Sequence, residues 1–62
     1  MIDHAREAEL LGVAAANLAN AKEAMMAVSR MHWGSDKALV GMVQNIGSIL
    51  EDVLTYGQPP SE

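Results

Sequence analysis

The sequence predicts an all-α fold, a two-helix antiparallel hairpin that dimerises into a four-helix bundle. Residues 39–56 place apolar side chains at alternating spacings of three and four, which aligns them along one stripe of an α-helix. Residues 3–30 contain no proline, and their larger apolar residues recur every seven positions, as in a coiled coil. The segment between them is short, and short connections join antiparallel neighbours.

The first helix is expected at about residues 3–30. Asp3 can cap its N-terminus by accepting a hydrogen bond from a free backbone N–H, and Glu7 and Glu9 suit the positive end of the helix dipole. Its predicted seam alternates large and small residues, which lets two helix axes approach closely. The seam residues are Leu11, Ala14, Leu18, Ala21, Met25 and Val28.

The turn is expected at about residues 31–35. Gly34 permits backbone conformations that other residues resist, and Ser35 or Asp36 can cap the helix that follows. At about 1.5 Å per residue, the first helix measures roughly 40 Å and the second roughly 30 Å. The first residues of the chain should therefore extend past the end of the second helix.

The second helix, expected at about residues 36–56, carries more apolar surface than one neighbour can cover. Its apolar side chains span roughly 200° of the helix circumference. The interaction residues predicted on it are Leu39, Met42, Val43, Ile46, Ile49, Leu50, Val53 and Tyr56. Those predicted on the first helix and the turn are Leu11, Leu18, Met25, Val28 and Trp33. A 62-residue chain without cysteine has a small core and no disulfides, so association is the expected source of stability.

Gly57 is expected as the C-cap of the second helix, and Pro59 and Pro60 cannot continue it. The predicted domain is therefore residues 1–57, followed by an extended tail, residues 58–62.

Charge and composition disfavour several classes of function. The formal net charge is −4, and the four basic residues are scattered rather than aligned as a phosphate backbone or an anionic membrane requires. Neither direct nucleic-acid binding nor membrane binding is expected. The apolar runs are too short to span a bilayer and no signal peptide is recognisable, so a cytoplasmic location is expected. Leaderless secretion and a place in a virion stay open.

No catalytic, cofactor-binding or metal-binding residue is predicted, and the chain is not expected to be an enzyme. His4 and His32 lie near opposite ends of the first helix and are interpreted as solvated, with pairing across an antiparallel dimer as the alternative. The Glu-x-x-His pattern of di-iron bundles does not occur in the sequence.

Some residues support two interpretations. Met25, Met26, Met31 and Met42 are either core filler or an adaptable binding surface, with core filler favoured. Trp33 either closes the end of the core or anchors another protein. Asn17 and Asn45, at the margins of the apolar arcs, either fix the register of an assembly or are simply exposed.

The order of helix, Trp33-Gly34 turn and helix resembles the small secreted hairpins of the Trp-x-Gly family, which pair into four-helix bundles. Here Trp and Gly are adjacent, and Pro60 stands where the acidic residue of that family's export signal should follow Tyr56. The layout is also similar to the Rop-type dimer of hairpins, whose RNA-binding face is basic, so that function does not carry over.

The sequence thus predicts a small acidic protein–protein interaction module, an assembly or regulatory factor whose partners are a second copy of itself and another protein. One alternative is a structural subunit of a virion, filament or secretion apparatus, including a secreted Trp-Gly-type hairpin. Another is an acidic inhibitor of a nucleic-acid-binding protein.

Overall fold

The computed structural model describes residues 1–58, which form two α-helices packed against each other. Helix α1 is His4–Met31 and helix α2 is Lys37–Gly57, and no strand occurs among these residues. The prediction of an all-α hairpin is confirmed, and dimerisation stays a prediction. Of the predicted tail, residues 59–62 lie outside the described residues.

Each helix begins at an aspartate that caps its N-terminus. Asp3 Oδ1 accepts a hydrogen bond from the Arg6 N–H at 3.1 Å. Asp36 Oδ1 accepts from the N–H groups of Ala38 at 2.9 Å and Leu39 at 3.3 Å, so Asp36, not Ser35, caps α2. Such caps stabilise a helix by about 1 kcal/mol each.

The turn reverses the chain through two consecutive left-handed residues, Trp33 with φ 59° and Gly34 with φ 68°. The N–H groups of Trp33 and Gly34 donate to the carbonyls of Arg30 at 3.0 Å and Ser29 at 2.9 Å, which satisfies carbonyls at the end of α1. Glycine adopts this backbone freely, whereas a residue with a Cβ loses roughly 1–2 kcal/mol there. The tryptophan is therefore held in an unfavourable conformation.

The C-terminal end of α2 differs from the prediction. Gly57 is the last residue of the helix and is not left-handed, and Gln58 is the C-cap, so the prediction of a C-cap glycine was wrong. The Gln58 N–H donates to the Thr55 carbonyl at 3.2 Å, which ends the helix without a left-handed residue. Leu11 Cδ1 lies 3.8 Å from the point where a Cβ on Gly57 would be, an ordinary van der Waals distance.

Two contacts fix the register of the hairpin. Leu11 lies level with Gly57, and the Cε and Nζ atoms of Lys22 lie 3.5 Å from the Cβ position of Gly47. The first turn of α1 therefore extends past the end of α2, as expected. Lys22 also occupies the seam position that was assigned to Ala21, which is exposed. A long aliphatic stem over a glycine fills this part of the seam better than alanine does.

Half-buried side chains from both helices form the seam. On α1 these include Leu11, Ala14, Ala15, Leu18, Lys22, Met25 and Val28, and on α2 Leu39, Val43, Ile46, Gly47, Leu50 and Val53. No residue among 1–58 is fully buried. Every described side chain of the two-helix hairpin therefore keeps some contact with water.

Candidate interaction surface

The hairpin has two broad faces, one on each side of the seam. The first, called the groove face, contains open grooves between the helices. Its residues include Lys22, Met26, Arg30, Val40, Gln44, Glu51 and Leu54. Basic, acidic and amide side chains are interspersed with apolar ones nearer the turn, whereas the groove near the open end is lined mainly by apolar residues such as Leu11 and Leu54.

The second face, called the apolar face, lies on the opposite side of the seam. Because residues advance about 100° around a helix, positions spaced alternately by three and four follow one stripe. The stripe of α1 is Leu10, Ala14, Asn17, Ala21, Ala24, Val28 and Met31, and that of α2 is Ala38, Met42, Asn45, Ile49, Asp52 and Tyr56. Both stripes lie on the same side of the hairpin, because antiparallel helices turn in opposite senses when viewed from one end.

The apolar face holds more exposed large apolar side chains than the groove face. Leu10, Met31, Met42, Ile49 and Tyr56 are exposed on it, compared with Met26 and Leu54 on the groove face. The other exposed large apolar residues of the described chain are Met1, Ile2, Val13 and Trp33. Between Leu10 and Met31 the α1 stripe contains no charged residue, and Glu7 and Asp3 continue the same spacing toward the N-terminus; Asp52 is the one charge in the α2 stripe. This combination is typical of a surface that another protein covers.

The predicted interaction residues divide into two groups in the structure. Nine lie half-buried in the seam, where they hold the hairpin together: Leu11, Leu18, Met25, Val28, Leu39, Val43, Ile46, Leu50 and Val53. Four are exposed: Met42, Ile49 and Tyr56 on the apolar face and Trp33 at the turn. The residues free to bind a partner are therefore mainly those of the second group.

Trp33 does not close the end of the hairpin, because 93% of it is exposed. The interpretation of Trp33 as a core cap within this chain is excluded, and its interpretation as an anchor for another protein stays a prediction. Of the internal methionines, Met25 is half-buried, whereas Met26, Met31 and Met42 are exposed. Asn17 and Asn45 are exposed as well, and both lie on the apolar face.

Charge is distributed unevenly along the hairpin. The open half, residues 1–20 and 49–58, has five carboxylates and one basic side chain. The half that contains the turn, residues 21–48, has two carboxylates and three basic side chains. One end is thus strongly acidic and the other slightly basic. The exposed ion pair of Arg6 with Glu9, at 2.7 Å, lies within the acidic end and contributes little to stability.

His4 and His32 are exposed at opposite ends of α1. No group of three His, Cys, Asp or Glu residues in the described range is placed to hold a metal ion. Neither α1 nor α2 combines the length and the hydropathy that a membrane crossing requires.

Comparison with protein families, with curated proteins and with solved structures finds no match to this chain.

Proposed function

We propose that this protein is a non-enzymatic protein–protein interaction module that works as a homodimeric four-helix bundle, in an assembly or regulatory role. The observation that carries the proposal is the exposed apolar face of a hairpin in which no described residue is fully buried. An uncovered apolar surface is unfavourable in water, and covering it is the main stabilisation still available to this chain.

The accessible surface supports association quantitatively. The chain exposes 5064 Å². Compact monomers of 6.6 kDa expose about 3,900 Å², so the excess is about 1,200 Å². A standard protein interface buries about 800 Å² on each partner, which is the same order as this excess.

Trp33 supports the second part of the proposal, the binding of another protein. An exposed tryptophan at the tip of a hairpin, held by an unfavourable backbone conformation, is a costly arrangement to keep without a partner. Tryptophan is the residue type most enriched among the anchors of protein interfaces. The tip is separate from both faces of the hairpin, so a dimer can present it.

Sedimentation equilibrium tests the association. We expect the mass of a dimer at micromolar concentration, and a folded monomer at that concentration would contradict the proposal. Open-ended growth of the assembly would instead favour the alternative of a structural subunit.

The Trp33→Ala variant tests the role of the tip. We expect an unchanged dimer mass and the loss of a partner protein that the wild-type dimer retains from its native source. Ile2→Ala, at the opposite end of the chain, is the control. A partner that binds Trp33→Ala as well as wild type would contradict the role of Trp33.

A further inference from the structure

We infer that a second copy of this chain covers the apolar face, with the two hairpins antiparallel and related by a two-fold axis that passes at the height of Ala21 and Ile49. This inference deepens the proposed function and rests on the association proposed there. It specifies which face is buried, which orientation is adopted and which residues meet.

The composition of the apolar face favours a second copy of this chain as the molecule that covers it. The face displays Leu10, Met42 and Ile49 beside the small residues Ala14, Ala21 and Ala24. Small residues let helix axes approach closely, and the larger side chains then fill the space beside them. A second apolar face of the same size provides this complement, and it removes from water an area comparable to the excess surface of the chain.

The large apolar side chains at the ends of the two stripes share a midpoint. Ala21 lies about midway between Leu10 and Met31, and Ile49 lies midway between Met42 and Tyr56. Because Lys22 contacts Gly47, Ala21 and Ile49 lie at about the same height along the hairpin. A two-fold axis at that height places the large apolar residues of each stripe opposite those of its copy.

The symmetry then pairs apolar residues with apolar residues. Ile49 meets Ile49 of the partner subunit, and Met42 meets Tyr56 of the partner subunit. Asp52 is the one charge of the face. Along the helix axis it lies only one residue's rise, ~1.5 Å, from Asn45 of the partner subunit. An asparagine amide can donate to a carboxylate, so this pairing gives the buried charge a hydrogen-bond partner.

Charge complementarity selects the antiparallel orientation. In a parallel dimer, the two acidic open halves would lie side by side, each with five carboxylates and one basic residue. In the antiparallel dimer, each acidic half lies beside the slightly basic half of the other copy. The two acidic halves are then separated by more than the Debye length of about 10 Å, so their repulsion is largely screened.

A matched pair of substitutions tests the face. Ile49 and Leu54 belong to the same helix and each is 50% exposed, but Ile49 lies on the apolar face and Leu54 on the groove face. We expect Ile49→Asp to weaken the dimer at least about a hundredfold, because it places two unpaired carboxylates at the axis. Leu54→Asp should leave the dissociation constant within about threefold of wild type. The measurement is sedimentation equilibrium over a concentration series.

The distance between two spin labels tests the relative orientation of the two copies without changing a residue of either face. The sequence has no cysteine, so Ser35→Cys gives one labelling site at the turn. The turn lies about 14 residues from the axis, so the antiparallel dimer places the two labels roughly 40 Å apart. Electron paramagnetic resonance measures this distance. A parallel dimer would place them within about 20 Å, two helix diameters.

The outcomes separate the inference from the proposed function. A monomeric wild-type chain would overturn the proposed association. A dimer that survives Ile49→Asp, or a short distance between the labels, would overturn only the face or the orientation inferred here.

Discussion

The two faces of the hairpin are built from the same two helices and share one seam, yet their chemistry differs. The groove face mixes Lys22, Arg30 and Glu51 with apolar residues, whereas the α1 stripe of the apolar face has no charge between Leu10 and Met31. Both faces are exposed in the single chain, so the folding of the hairpin does not account for the difference. The difference is expected if a second copy covers the apolar face and water covers the groove face, as proposed above.

The largest expected effect comes from the seam, because both faces depend on it. Ile46→Asp places a carboxylate among half-buried apolar side chains. We expect it to lower the free energy of unfolding by about 3 kcal/mol or more and to abolish the dimer with it. Circular dichroism and sedimentation measure the two effects, with Gln44→Asp as the exposed control. A folded, dimeric Ile46→Asp would show that the seam is not what holds the hairpin.

The next comparison uses one methionine from each face. Met42→Asp should weaken the dimer by about 2 kcal/mol, roughly thirtyfold, because the charge would be buried between the copies. Met26→Asp on the groove face should change it by less than about 0.5 kcal/mol, as exposed substitutions usually do. Isothermal dilution calorimetry gives both dissociation constants. Equal losses from the two variants would mean that the groove face is also covered.

A smaller effect is expected from filling the small positions. Ala21→Leu adds bulk where the two copies of α1 would cross, and we expect it to weaken the dimer by about 1–2 kcal/mol. Ala19→Leu, toward the groove face, is the matched control and should be neutral. Sedimentation of the two variants at equal concentration compares them. Stronger association of Ala21→Leu would indicate that the copies do not approach closely there.

The smallest expected effect concerns the stability of α1 at a position outside the seam and the apolar face. Gly12 lies inside α1 toward the groove face, and a Cβ there would meet nothing within 4 Å. Gly12→Ala should raise the free energy of unfolding by up to about 1 kcal/mol, because alanine is the better helix former. Thermal unfolding measures this gain, and the dissociation constant of the dimer should not change. A destabilised variant would reveal packing against Gly12 that the single chain does not contain.

Most local features of this fold could be predicted from the sequence, and the ones that depend on register could not. The cap at Asp3 requires only residues within one turn, so composition and spacing suffice to predict it. Gly57 was assigned wrongly because a helix can also end through a bond of the Gln58 N–H to the Thr55 carbonyl, which needs no left-handed glycine and leaves no signal in the sequence.

The division of the apolar arc of α2 shows the limit set by register. Its width was predictable from the spacing of apolar residues, but which of them enter the seam depends on how α1 docks. In the docked hairpin Lys22 lies over Gly47, and a charged residue in a seam has no signal in a pattern of apolar residues. Ile49 and Leu50 are neighbours in the sequence, yet one faces outward and the other inward.

The exposed indole at the turn has a consequence once two copies assemble head to tail. Each dimer would carry an exposed tryptophan at both of its ends, and so could bind two partner proteins at a fixed spacing. Tethering through both ends would strengthen weak individual contacts through avidity. A monomeric hairpin has an exposed tryptophan at one end only, so it could bind one partner protein but not join two.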